Sequence, residues 1–500
     1  MHSLQLSLHA AVLVAAATLV LFPCPQQVRA YSCQHDHVIA GFKATWVSTT
    51  QSYDSSSTHF KRQSALPTIL LQANTTTDDG YRPIRIRADY SNIDIDTDLE
   101  GYISKVLMPA ALKWISSALA VVPVQGNLTL QRQCIRFYTS PFRCIEYAPP
   151  TCGSLATIPS AHFDAGVPNA DFIVYVTNQP SVGEEIANGG TCQFDQNGRP
   201  VAGGVNFSPQ NFGKAQNGTE DFRYQVNAVV HELFHALGFS SSLFGQWRNS
   251  QGEPYDSARE FFGCPNLNGV ELEDQGGQGT AGSHWEKRIL NQDFMTGVGV
   301  YGDYAAKSAV TLAAMEDSGW YRANYSAAET LYWGAGAGCE FTTEACLSLP
   351  GPTTPFSSYF CTDTSRLSCT PGRLARGNCN LATYTQDLPS AYQYFSDPTR
   401  GGALQLMDFC PYYQPFLGAN RTSLCTEPLN QPPVNYWGDP QSPIPGTLQV
   451  SIKGAWVSCP TAGGSISVSG FRGAFTCPPA NEMCPPPAAA SPSTSPAPSA

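Results

Sequence analysis

The sequence predicts an α+β fold, and three observations carry that expectation. Strand-like stretches at 83–89, 171–177 and 201–207 surround a helical stretch at 99–121 and precede a second helix at about 220–237. The second helix has a broad apolar stripe of Val226, Val229, Val230, Leu233, Phe234 and Leu237, so it is expected to be buried along most of its length. From about residue 342, Cys, Pro and Gly dominate and apolar runs are short, which predicts a disulfide-rich, mainly β/loop region.

The N-terminus reads as a secretory signal (1–30). Ala10 to Phe22 is an uncharged Ala/Val/Leu run, Pro23 and Pro25 end it short of a membrane span, and Val28-Arg29-Ala30 offers a small-residue cleavage site. Residues 31–82 are rich in Ser, Thr, Gln and His with little apolar periodicity, the character of a pro-segment. Alternation in Pro83-Ile-Arg-Ile-Arg-Ala-Asp89 marks a strand. A helix follows from Leu99 to Val121, on Ile103, Leu107, Ala110, Leu112, Ile115 and Leu119. Asp171–Thr177 and Val201–Phe207 are further strands, and the striped helix ends at Gly238, a residue suited to a left-handed turn. The chain is Gly-rich through 275–282, and Ser308–Ser318 is another helix. Residues 485–500, Pro, Ala and Ser with one Thr, form a disordered tail. The expected division is thus signal 1–30, pro-segment 31–82, an N-terminal catalytic domain 83–240, a central domain 241–341, a Cys-rich domain 342–484 and the tail.

Composition narrows the function classes. Net charge is −11, charged residues make up only 13%, and no dense Lys/Arg run occurs, so nucleic acid is not an expected partner. Most of the 17 Cys lie beyond residue 130, nine of them between Cys346 and Cys484. With sequons at Asn74, Asn127, Asn206, Asn217, Asn324 and Asn420, this points to the secretory pathway and the extracellular space or cell surface.

The chemistry is concentrated in His231-Glu232-Leu-Phe-His235. Residues four apart share a helix face, so both imidazoles reach one metal ion, and Glu232 is placed to handle the proton of a metal-bound water. Such sites suit zinc, which needs a third protein ligand and leaves a fourth position for water. Glu253 and Glu260 lie at the distance of a Glu from a second helix, although Glu253 stands in a Gly-Glu-Pro-Tyr turn. Ser241 excludes a His three residues after Gly238, and the next His downstream is His284.

These motifs resemble the leishmanolysin family, surface metalloproteases of trypanosomatid parasites. The resembling residues are H-E-L-F-H-A-L-G-F-S (231–240), G-S-H-W-E (282–286) and D-F-M-T-G (293–297), in that order. Ala170-Asp-Phe-Ile-Val-Tyr-Val, Trp333-Gly-Ala-Gly-Ala-Gly-Cys339 and Met407-Asp-Phe-Cys410-Pro extend the likeness over about 83–484. The resemblance implies a metzincin-like catalytic domain with a twisted mixed sheet. It also implies His231, His235 and His284 as ligands of one catalytic Zn2+, Glu232 as general base, and Met295 as the floor of a Met-turn. No Tyr stands two positions after Met295, where the astacin group has one, so no fifth ligand is assigned. Cys33 resembles the pro-segment Cys that caps the metal in a latent proenzyme, although Tyr31 replaces the family's His two residues before it.

The implied activity is hydrolysis of peptide bonds in protein and peptide substrates, with a strand near Gly203–Phe207 either as the edge that an extended peptide joins or as a strand that only completes the sheet. The rival readings are a zinc hydrolase on another fold, and an adhesion protein acting on host or cell-surface partners through its Cys-rich region. Adhesion is compatible with proteolysis and is expected as a secondary role. Membrane association through a glycolipid would need a hydrophobic C-terminal tail, which is not seen after residue 485. Cys134–Cys144, Cys152–Cys192 and Cys264–Cys339 are the expected local disulfides, and loss of Cys24 and Cys33 leaves an odd number of cysteines.

Overall fold

The computed structural model describes residues 80–415 apart from 94–96, 140–141, 155, 182–184, 212, 218, 248–255, 278, 301–304, 350, 366 and 372–375. Beyond that span it describes 30–32, 45–47, 434–437, 449–452, 455–460, 464–467 and 474–477. Residues 1–29 of the expected signal, Cys33, most of the expected pro-segment, Glu253 and the Pro/Ala/Ser tail lie outside the described residues.

The expected elements are present with shifted ends. A short strand β1 (Ala30–Ser32) and another, β2 (Thr45–Val47), precede β3 (Ile86–Asn92). The strand expected from Pro83 starts three residues later. Arg82–Pro83 instead pair with Ala120 and Val121, and Ile84 N–H donates to the Leu119 carbonyl. The helix expected to Val121 consists of α1 (Thr97–Tyr102), a π-turn (Ile103–Leu107) and α2 (Met108–Ala118). It stops early because Leu119–Val121 form a strand between Arg82–Pro83 and Arg322–Ala323. A cross-strand ladder outcompetes the last helical turn there, since helical periodicity alone does not specify where a helix ends.

The main sheet contains β4 (Phe172–Thr177), β5 (Ala187–Asp195) and β6 (Pro200–Phe207), in the order β2-β5-β6-β4-β3. β4 is parallel to both β3 and β6, and β5 runs antiparallel to β6, so the sheet is mixed. The Gly203–Phe207 stretch is therefore interior, hydrogen-bonded to β4 on one side and β5 on the other. This corrects the edge reading of that stretch in favour of the sheet-completing one: β5 lies outside β6 and is itself joined at Gln193–Asp195 by β2 in parallel. An alternating strand reads the same from sequence whether one or both of its sides are paired.

The striped helix, α3 (Glu220–Leu237), packs on β5 and β6. Its Val229, Val230, Leu233, Phe234 and Leu237 join Phe172, Val174, Val176, Val205 and Phe207 in the main core cluster. The alternate residues Ile173 and Tyr175 face a second cluster on the opposite side of the sheet. Glycines set the helix–sheet distance. A Cβ on Gly203 would lie 2.6 Å from the Gly190 carbonyl oxygen and 2.9 Å from Ala236 Cβ. Glycine within a strand often marks such a close backbone approach.

Downstream lie β7 (Val298–Val300), which pairs antiparallel with β1, and α4 (Ala309–Asp317). The main cluster continues through Phe262, Trp333 and Phe341 to Phe360, Met407 and Tyr412. Cys134–Cys144, Cys152–Cys192 and Cys264–Cys339 are bonded, as are Cys346–Cys410, Cys361–Cys379 and Cys459–Cys477. Among the described residues no helix is long and apolar enough to cross a membrane.

Candidate metal centre

The ends of α3 are specified locally. Thr219 caps its start, its hydroxyl oxygen accepting from Phe222 N–H at 3.3 Å. At the other end Gly238 takes φ +125°. Gly238 N–H donates to the His235 carbonyl and Phe239 N–H to the Phe234 carbonyl, the paired bonds of a Schellman turn. A Cβ on Gly238 would lie 2.7 Å from the Trp320 ring, so both conformation and space require glycine. The turn also delivers the Phe239 carbonyl to His235, whose Nδ1 lies 2.6 Å from it.

The other two rings are held in the same manner. His231 Nδ1 is 2.6 Å from the Phe294 carbonyl, and His284 Nδ1 is 2.8 Å from the Thr280 carbonyl. All three rings are buried. A carbonyl only accepts, so each Nδ1 carries a proton, and in a neutral ring that leaves the Nε2 lone pair for a metal. Those three Nε2 atoms converge, at 3.0 Å (His231–His235), 3.1 Å (His235–His284) and 3.2 Å (His231–His284). Three acceptors at this distance repel one another unless a cation lies among them. The group is thus able to hold a metal ion. Burial pulls the His284 imidazole down to about 4, against the Thr280 carbonyl that favours its charged form, so the ring is neutral as a ligand must be.

The remaining sequence candidates fall around this triad. Glu232 is fully buried at the sheet-facing side of α3, where a Cβ on Gly189 would lie 2.7 Å from the Glu232 carbonyl oxygen. Met295 is fully buried in the turn that supplies the Phe294 carbonyl, and its own carbonyl accepts from Trp285 N–H at 3.0 Å. Glu260 lies in a short helix, Asp256–Phe262, and is not part of the triad. Three groups were not singled out from sequence: the supporting carbonyls of Phe239, Thr280 and Phe294, the spacer Gly189, and Asp293. Of these only the strand glycines leave a sequence signal, because a carbonyl is present at every position.

Beside the triad, Glu273, Asp274 and Glu286 form a carboxylate cluster. Burial and mutual repulsion push the Glu273 and Glu286 carboxyls up, and Arg288 links the cluster to Asp408 at 3.0 Å. Glu286 also caps the helix Lys287–Leu290, accepting from Arg288 N–H at 3.0 Å. A separate cavity of about 480 Å³ lies against Phe262, Leu267, Val270, Ile289 and the Cys264–Cys339 bridge, and the histidines are not among its walls.

Comparison with known proteins places this arrangement in context. Residues 91–436 match the family model of leishmanolysin. A leishmanolysin homologue of Crithidia fasciculata is 32% identical over 435 residues, 76% of this chain and 62% of that protein. Leishmanolysin of Leishmania donovani is 33% identical over 314 residues, covering 59% of this chain and 51% of the relative. A leishmanolysin-like peptidase of Drosophila melanogaster is 30% identical over 439 residues, covering 67% and 63%. The matches thus span between about half and two-thirds of the length of these relatives. With the family model covering well over half of its residues, the chain belongs to the leishmanolysin family.

Proposed function

We propose that the chain is a zinc-dependent metalloendopeptidase of the metzincin type, made as a latent proenzyme and sent to the extracellular space or cell surface. The observation that carries this reading is the convergence of three Nε2 atoms at 3.0–3.2 Å, each ring oriented by a carbonyl on its Nδ1. Two nitrogens bound ~2.05 Å from one tetrahedral zinc are ~3.3 Å apart, which the spacing supports. His231, His235 and His284 would hold the ion. When bound, zinc would acidify a water and polarise the scissile carbonyl.

Glu232, next to His231 on the same helix, serves as general base. It takes the proton of the attacking water and passes it to the leaving amine. Met295 closes the site from below as a packing residue. Latency through Cys33 is supported by β1, which ends one residue before it and pairs with β7, three residues beyond Met295. The disulfides support the secretory route. The division at residues 82, 240 and 341 and a secondary adhesive role of the Cys-rich region remain part of this proposal.

Glu232→Gln tests the mechanism. Peptide cleavage is expected to fall by ~10²–10⁴ while one zinc per chain is retained and any adhesive binding persists. Cleavage that survives this change, or survives zinc removal, would sink the proposal.

A further inference from the structure

The turn carrying Met295 is held by one buried carboxylate, Asp293, which is not among the residues assigned above. Asp293 receives three donors: Met295 N–H at 2.7 Å, the Thr311 hydroxyl at 2.8 Å and the Ser308 hydroxyl. Thr311 passes the contact on. Its oxygen accepts from Trp285 Nε1–H at 2.8 Å, and an indole can only donate, so the Thr311 proton is directed at Asp293. The chain of donors therefore runs from Trp285 through Thr311 to Asp293, with no alternative direction.

Two of the three imidazoles depend on what this chain fixes. Phe294, between Asp293 and Met295, supplies the carbonyl that meets His231 Nδ1 at 2.6 Å. Trp285 follows His284 directly, and its backbone N–H donates to the Met295 carbonyl at 3.0 Å. The far side of the turn is held too, with Thr296 Oγ1 donating to the Asp293 carbonyl at 3.0 Å and accepting from Lys287 Nζ at 3.2 Å. Ser308 and Thr311 are the cap and first turn of α4, so Asp293 also ties that helix to the centre.

We propose that Asp293 is the positioning residue of the metal centre, steering His231 through the Phe294 carbonyl and His284 through Trp285. Ionic side chains that orient ligands from outside the coordination set typically change metal affinity 10–100-fold when removed. This inference rests on the reading of the triad as the metal site.

The test is zinc affinity of the full chain, measured by competition with a chromogenic chelator. The panel is wild type, His231→Ala, Asp293→Ala, Asp293→Asn and Thr311→Val. Ile173→Ala, a destabilising change on the opposite face of the sheet, is the control. Asp293→Ala is expected to lower affinity by ~10–100-fold. Asp293→Asn, which can still accept from Met295 N–H, should recover part of the loss, and Ile173→Ala should leave affinity unchanged. If Asp293→Ala does not fold, Asp293→Asn and Thr311→Val carry the test, each with a smaller loss in the same direction. Wild-type affinity in the Asp293 and Thr311 variants, or an equal loss in Ile173→Ala, overturns the proposal. A wild-type chain that binds no zinc, or whose binding survives His231→Ala, overturns the reading of the triad instead.

Discussion

Replacing Gly189 by Ala tests whether helix–sheet spacing sets the geometry of the centre. The added Cβ would stand 2.7 Å from the Glu232 carbonyl oxygen and 3.0 Å from Glu232 Cβ, whereas ordinary contact begins at 3.4 Å. Both obstacles belong to the helix, and neither is the end of a flexible side chain, so α3 has to withdraw by about 0.7 Å. Overpacking of this kind costs ~1–3 kcal/mol, offset by the ~0.5–1 kcal/mol that Ala gains over Gly in a strand. A net loss of about 1–2 kcal/mol is expected. The functional cost is larger. A misplacement of ~1 Å can reduce catalysis ~10²-fold, so a fall of about 10–100-fold in kcat/KM follows, with weaker zinc binding. Urea unfolding of the zinc-depleted chain, zinc competition and hydrolysis of a quenched peptide report the three effects. Gly101→Ala is the control: nothing lies within 4 Å of that position, and it is helical, so the change should be neutral or stabilising. Unchanged urea midpoint and unchanged kcat/KM in Gly189→Ala would refute the idea that glycine sets this spacing.

Two further outcomes follow from charge and covalent bracing. Lys307 Nζ sits 2.7 Å from Glu329 and 2.8 Å from Asn227 of α3, and Arg223 Nη2 lies 3.2 Å from the same carboxylate. Burial alone would raise Glu329, but Lys307 and Arg223 outweigh it and hold its carboxyl below the usual 4.5. A carboxyl lowered on folding adds stability above about pH 4.5 that is lost as pH falls through the folded value. Burial pulls Lys307 down despite Glu329, so the pair adds little beyond satisfying a buried cation. Glu329→Gln should therefore cost about 1–3 kcal/mol at pH 7 and less at acid pH, as the medium falls below 4.5 and through the folded value of Glu329, by thermal melts at the two. An equal cost at both pH values would contradict the assignment. The Cys264–Cys339 bridge closes a separation of 75 residues, for which chain entropy predicts a loss of up to ~4 kcal/mol in the double Ser variant. An unchanged melting temperature would show that packing of Phe262 and Phe341 alone holds those segments together.

What could be read without coordinates was whatever is periodic or chemically rare. The stripe Val226–Leu237 located α3 because burial imposes a helical period on apolar residues, and Gly238 marked its end because few other residues tolerate φ +125°. His231 and His235 were visible as two imidazoles four apart on one helix, and His284 through the family resemblance of the residues around it. Local disulfide partners were readable at short separation, as in Cys134–Cys144.

Tertiary structure decided the rest. Strand order was not legible: Gly203–Phe207 reads equally as an edge or as an inner strand, and its pairing on both sides was decided by the fold, since hydrogen-bonding partners leave no mark on side-chain alternation. The helix at 97–118 lost its last turn to a ladder from residues more than 200 positions away. The supports of the three rings were equally hidden, because they are carbonyls, and Asp293 acquires its role only when Thr311 and Trp285 arrive beside it. Sequence determined which side chains were available for chemistry. The long-range packing of α3, the turn at Met295 and α4 determined that their Nε2 atoms meet, because convergence within 3.2 Å depends on contacts between segments far apart in the chain.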